Sequence, residues 1–158
     1  MAHHGRVYSR EYGVDSTFEA MVATSVAEAG RRGWPTEREG IWIVERDGAV
    51  AGSLGLTDEG DTGVLRWFVL DPDLRGRGLG RRLVAELIAK AREVGYERLR
   101  LETFSDLRAA AHLYREAGFE LVREDTRPRW GRDAITYQYY ELELARASRV
   151  PHLAASVG

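Results

Sequence analysis

The sequence predicts an α/β fold: a mixed, mostly antiparallel central sheet of about six to seven strands with helices on both faces. Three observations lead there. Short apolar runs bounded by Asp-Gly and other turn signals read as strands, while longer stretches carry apolar residues at helical spacing. Their order is a strand, helical material, a three-strand meander, a helix, a strand, a helix and two strands, which one sheet covered on both faces accommodates. The length, 158 residues, suits one core better than two.

In chain order, residues 6–12 (RVYSREY) read as a first strand. Asp15 is placed to cap a helix whose apolar positions are Phe18, Met21, Val22 and Val26. Gly30 and Gly33 end that pattern, and Trp34-Pro35 marks a loop. Residues 41–45, 49–57 and 64–70 form the meander. Asp47-Gly48 supplies its first turn, the acidic run Asp58-Glu59-Gly60-Asp61 its second, and Asp71-Pro72 its end. The longest helical pattern follows, with Leu79, Leu83, Val84, Leu87, Ile88, Ala91 and Val94 on one face and Gly95 closing it. Residues 97–103 read as a strand. Ser105 or Asp106 is expected to cap a short helix with Ala110, Leu113, Tyr114 and Ala117 facing inward and Gly118 at its end. A strand starts at Phe119, residues 127–133 (RPRWGRD) read as a loop, and 134–144 alternate as a last strand. Residues 1–145 are expected to be a single domain and 146–158 a frayed tail.

Composition narrows the function classes. Hydrophobic residues make up 44% and charged residues 30%, a globular profile, and the formal net charge of -2 gives no global field for nucleic acid. Cysteine is absent, which excludes disulfides, thiolate–zinc sites and catalysis through a protein thiol. The four histidines (3, 4, 112 and 152) are widely scattered, so no metal is expected. No apolar run is long enough for a membrane helix, and the N-terminus lacks an apolar leader, so a cytoplasmic protein without membrane partners is expected. Of the 23 basic residues only Lys90 is lysine; arginine in this number also serves ordinary surface pairing.

The segment that carries chemistry is 69–82, VLDPDLRGRGLGRR: an apolar strand runs through a glycine-rich loop straight into a helix. Gly76, Gly78 and Gly80 let backbone N–H groups approach a ligand, and the first turn of the helix points its free N–H groups the same way. Such a nest binds phosphate or pyrophosphate, with Arg75, Arg77, Arg81 and Arg82 available for charge-assisted contacts. The nucleotide P-loop string GxxxxGK[ST] is absent, and GxGxxG fails because Arg81 stands where its third glycine belongs. What fits is Arg75-x-x-Gly78-x-Gly80. A surface turn that merely happens to be rich in glycine and arginine is the competing reading.

That motif resembles the acyl-CoA pyrophosphate loop of the GNAT superfamily of N-acetyltransferases, [R/Q]-x-x-G-x-[G/A]. A second anchor, LYREAGFELV (113–122), is similar to the family's closing segment at matching spacing, and the resemblance extends over about 5–144. More narrowly, EYGVDSTFEA, IWIVERDGAVAGS and HLYREAGFELVRED look like the acetyltransferase domain fused behind MarR-type winged-helix regulators, here expected to stand alone. The resemblance implies the GNAT fold, acetyl-CoA as donor, and a primary amine on a small molecule or peptide as acceptor. It also implies that the backbone of Phe68, Val69 and Leu70 pairs with the pantetheine arm like an added strand. Arg75, Gly76, Arg77, Gly78, Leu79, Gly80 and Arg81 then form the pyrophosphate site. A homodimer is compatible with the family.

Acyl transfer from a thioester to an amine needs a base for the ammonium proton, a donor for the developing oxyanion and an acid for the thiolate. Tyr114 matches the family's general acid; as a residue it is equally a core tyrosine on an apolar helix face. Glu102, in a leucine-rich strand, is either the general base or the partner of an arginine such as Arg100. The chain departs from the family at 104–107 (FSDL), where many members carry an asparagine that contacts the CoA arm; Ser105 and Asp106 are candidate substitutes, and the departure puts that contact in question. Trp67 lies in the strand assigned to the donor and either lines the acceptor side or fills the core. His112 reads as a surface residue, and 127–133 as a shaper of the acceptor pocket. A non-catalytic acyl-CoA-binding module and an acyltransferase using another donor are the competing functions.

Overall fold

The computed structural model describes residues 7–8 and 10–144; the tail expected at 146–158 lies outside the described residues. Six strands form one open sheet: β1 (Gly40–Arg46), β2 (Ala49–Glu59), β3 (Thr62–Leu70), β4 (Arg98–Phe104), β5 (Glu120–Arg129) and β6 (Arg132–Glu143). Their spatial order is β1-β2-β3-β4-β6-β5. Only the β3–β4 pair is parallel; every other pair is antiparallel. That parallel step needs a crossover, which the long helix between them provides.

Four helical segments cover the sheet. The first, α1, is helical at 7–8 and 10–12, and corrects the strand expected over 6–12. Its buried side chains, Val7 and Tyr8, recur as Tyr12 one turn later, and the Tyr8 and Tyr12 rings lie 5.7 Å apart. That is helical spacing, hidden in a seven-residue window whose apolar and polar residues also roughly alternate. Among the described residues the sheet therefore has six strands.

Helix α2 (Ser16–Arg31) starts as expected at Asp15, whose carboxylate accepts the Thr17 N–H at 2.9 Å. Helix α3 (Leu79–Val94) buries Leu83, Val84, Leu87, Ile88 and Ala91 against Leu54, Leu56, Leu99 and Leu101 of the sheet and ends at Gly95 (φ +88°). Helix α4 (Arg108–Glu116) buries Ala111 and Tyr114. Its N-cap is Leu107, with no side-chain cap, so neither Ser105 nor Asp106 fills the expected role. The Asp106 carboxylate instead accepts from Arg132 at 2.8 Å, tying the start of α4 to β6.

The second core, on the opposite face, packs Tyr8, Phe18 and Val22 of α1 and α2 against Phe104, Trp130 and Tyr137. The loop expected at 127–133 is in fact a tight hairpin. The ladder runs through Arg127↔Ile135 to Arg129↔Arg132, and Trp130 and Gly131 make the turn with φ +52° and +77°. Two positive φ values are what a two-residue hairpin requires, but a tryptophan in the first position gives no sequence warning of it.

Candidate active site

The site begins where the sheet splits. β3 and β4 pair only from Thr62↔Arg98 to Val64↔Arg100, then separate. β3 is also kinked. Its register against β2 slips between Ser53 and Gly55, Trp67 opposite takes φ +52°, and the Ser53 hydroxyl donates to the Trp67 carbonyl at 2.7 Å. Beyond the kink, the Phe68 carbonyl accepts from the Tyr8 hydroxyl at 2.8 Å and the Leu70 carbonyl from Arg75 at 3.0 Å. The Asp71 N–H pairs to β2 at the Ala51 carbonyl. By strand alternation the N–H groups of Phe68 and Leu70 face away from β2, into the split.

A cleft of about 410 Å³ opens on one side of the split. Phe68, Val69 and Leu70 form its wall, and Arg75, Gly76, Gly78, Gly80 and Arg81 its end. Gly78 is the N-cap of α3 at φ +77°; no side chain caps this terminus and no acidic residue stands in its first turn. The Leu79, Gly80 and Arg81 N–H groups precede the first intrahelical bond, Arg82 N–H to the Gly78 carbonyl at 3.1 Å. Gly80 is a close approach: a Cβ there would lie 2.8 Å from Leu113 and 3.4 Å from Leu70 and Phe68. The helix is drawn against β3, which brings strand wall and helix terminus into one groove.

The arginines of this loop are not equivalent. Arg75 is held by Glu11 of α1 through two bonds of 2.6 and 2.8 Å, and with its bond to Leu70 it fastens α1 over the cleft. Arg81 pairs with Glu116 of α4 at 2.9 Å and remains largely exposed. Arg77 is exposed, and both it and Leu79 stand outside the cleft lining. Ser105 and Asp106 are likewise outside it, whereas the exposed His112 lines it and pairs with Glu116 at 3.0 Å.

A second cleft, about 310 Å³, lies across the split. It brings together Glu102 and Tyr114, which the sequence had singled out separately. Glu102 is half-exposed, 3.5 Å from Arg100, so its ion pair is long and open to water. Arg100 is held more tightly by Glu59 at 2.6 Å, and Glu59 also reaches Arg66 at 3.4 Å. The acidic turn before β3 is thus the anchor of an arginine network at the point of divergence. Tyr114 is buried among Phe68, Phe119 and Tyr140, with ring centroids 6.0–6.2 Å away. Burial pushes its hydroxyl well above the usual tyrosine range, so it stays protonated at neutral pH. Trp67 lines this side too, its indole N–H donating to Ser25 at 2.7 Å and its ring 5.0 Å from Trp34.

Tyr8, Phe68 and Leu107 line both clefts. The two spaces therefore meet at the kinked strand, under α1. Sequence reasoning missed Tyr8 and Glu11 because it read α1 as a strand; the pairing of Tyr8 with Tyr12 at i,i+4 was the available signal. Leu107 carried none.

A split mixed sheet with an uncapped helix terminus on one side and Glu102 beside Tyr114 on the other is compatible with an acyltransferase domain. Comparison agrees: residues 8–119 match the Acetyltransferase (GNAT) family. The uncharacterized N-acetyltransferase YjgM of Escherichia coli is 32% identical over 121 residues, covering 74% of this chain and 72% of that protein. Among solved structures, a GNAT-family acetyltransferase from Streptococcus pneumoniae superposes with a TM-score of 0.64 at 23% identity, over 73% of this chain and 72% of that one. An acetyltransferase from Salmonella typhimurium, solved with its cofactor acetyl-CoA, gives 0.63 at 22%, over 78% and 74%. The chain belongs to the GNAT family and is an N-acetyltransferase. Among the described residues no cluster of His, Asp or Glu is placed to hold a metal, and no helix is long and apolar enough to cross a membrane.

Proposed function

We propose that this protein transfers the acetyl group of acetyl-CoA to a primary amine by direct attack in a ternary complex. The observation that carries the reading is the pair of clefts meeting at Tyr8, Phe68 and Leu107, one ending at an uncapped helix terminus and the other holding Glu102 and Tyr114. The residues present fit the donor. The Leu79, Gly80 and Arg81 N–H groups suit a pyrophosphate, and the N–H groups of Phe68 and Leu70 suit an amide-bearing arm lying along β3. Bound there, acetyl-CoA supplies an acyl group activated as a thioester.

The chain's own residues do the rest. The acceptor amine enters through the second cleft and loses a proton to Glu102, directly or through water. Its nitrogen forms the new C–N bond as the C–S bond breaks, and the Phe68 N–H supports the charge that develops on the carbonyl oxygen. The Tyr114 hydroxyl returns a proton to the sulfur. No protein nucleophile takes part, which accords with the absence of cysteine. The stretches EYGVDSTFEA and HLYREAGFELVRED support the narrower kinship with domains fused to MarR-type regulators.

The test is CoA release measured with a thiol reagent, to which a chain without cysteine adds no background. Wild-type protein is expected to release CoA only when an amine is present. Tyr114→Phe should lower turnover at least tenfold with acetyl-CoA affinity little changed. Acetyl-CoA binding without turnover on any amine would identify a sensor instead, and unchanged turnover in the variant would remove Tyr114 from the chemistry.

A further inference from the structure

We infer that the second cleft selects an amine that also carries a carboxylate, and that Arg129 receives that carboxylate. The inference rests on the assignment of this cleft to the acceptor. Arg129 is the last residue of β5, half-buried, and it lines the cleft. Its guanidinium lies 5.1 Å from the Trp130 ring and 4.7 Å from the Tyr137 ring. Among the described residues its one side-chain hydrogen-bond contact, Nη2 to the Met21 sulfur at 3.5 Å, is to a weak acceptor.

No carboxylate among the described residues lies within ion-pair distance of Arg129, and its surroundings make this unusual. Arg127 on the same strand is 3.0 Å from Asp125, and Arg132 across the turn is 2.8 Å from Asp106. The other two arginines lining the cleft are balanced: Arg66 and Arg100 share Glu59, and Arg100 also reaches Glu102. Two cations against two carboxylates leave Arg129 as the surplus charge. A guanidinium partly withdrawn from water is costly without a counter-charge. Ring contacts at these distances engage no N–H group in a strong hydrogen bond, which leaves the guanidinium fork for a planar carboxylate, the partner it matches with two parallel bonds. Phe18, Met21, Trp67 and Trp130 give the cleft apolar walls, so the rest of the acceptor is expected to be apolar or aromatic.

The site thus reads an acceptor at two points: its amine at the junction near Phe68 and its carboxylate at the β5–β6 turn. The alternative role for Arg129 is purely structural, a charged lid on the second core. The two make different demands, since a structural role affects all amines alike.

The experiment measures binding by calorimetry to CoA-saturated protein, using pairs that differ only in the carboxylate. Suitable pairs are L-phenylalanine with 2-phenylethylamine, L-methionine with 3-(methylthio)propylamine, and 6-aminohexanoate with pentylamine. At least one carboxylated member is expected to bind tenfold or more tightly than its partner. Arg129→Met should erase that preference while leaving the affinity for the plain amine and the thermal midpoint unchanged; Arg129→Lys should retain part of it. The inference is overturned if no pair prefers the carboxylate, or if the preference survives in Arg129→Met. Titration with CoA alone reports separately on the donor reading. Should CoA not bind, that reading fails, and the same pairs titrated into ligand-free protein decide the role of Arg129.

Discussion

Glu102 and Tyr114 line the same cleft, one open to water and the other buried. Glu102 is half-exposed, 3.5 Å from Arg100. Tyr114 is buried among aromatic rings, which favours its neutral form. A water-accessible carboxylate and a buried, protonated hydroxyl suit a base and an acid working in one turnover. Glu102→Gln tests the base. With a lysine-like amine the rate rises with pH as the ammonium loses its proton. Without the carboxylate, that rise should move toward the amine's own ionisation near ~10. A pH–rate profile identical to wild type would place the base elsewhere. Both residues were legible from their sequence neighbourhoods, and each kept two readings because its surroundings were not. Burial and proximity decide such cases, and neither is a property of a single strand or helix.

At the scale of elements, the proposed donor site depends on the join between β3 and α3. Glycine at 78 permits φ +77°, and the terminus it opens carries no side-chain cap and no carboxylate. Gly78→Glu should reduce acetyl-CoA affinity at least tenfold by placing negative charge among the N–H groups proposed to receive the pyrophosphate. Glutamate and glutamine are both strained there by ~1–2 kcal/mol, so the uncharged isostere Gly78→Gln is the matched control. It should fold and bind within a few-fold of wild type. Equal loss in both variants would assign the effect to backbone strain and not to charge. This join was plainly legible, because strand, glycine loop and amphipathic helix are contiguous in 64–94. The helix α1 was not. Its order depends on partners more than fifty residues away, such as Phe68 for Tyr8 and Arg75 for Glu11, and short-range alternation misread it. The β5–β6 turn failed for another reason: Trp130 adopts a conformation that tryptophan seldom favours, supported by Phe18, Phe104 and Tyr137 around its ring.

For the whole molecule, the split between β3 and β4 is what turns a sheet into an enzyme. Both strands were read from their apolar runs, but where they stop pairing is a matter of register, and periodicity carries no such information. The kink at Trp67, the crossing helix α3 and the clamp from Glu11 to Arg75 together hold the gap open and place one cleft on either side. The account stands on the first cleft being the seat of acetyl-CoA, and thermal unfolding with and without that ligand tests this most directly. At about 100 times Kd, acetyl-CoA should add ~2.7 kcal/mol to the folded state, which for a chain of this length raises the midpoint by roughly 5–10 °C. ATP and NADH at equal concentration should leave it in place. A midpoint unmoved by acetyl-CoA, or moved equally by all three, would contradict the account.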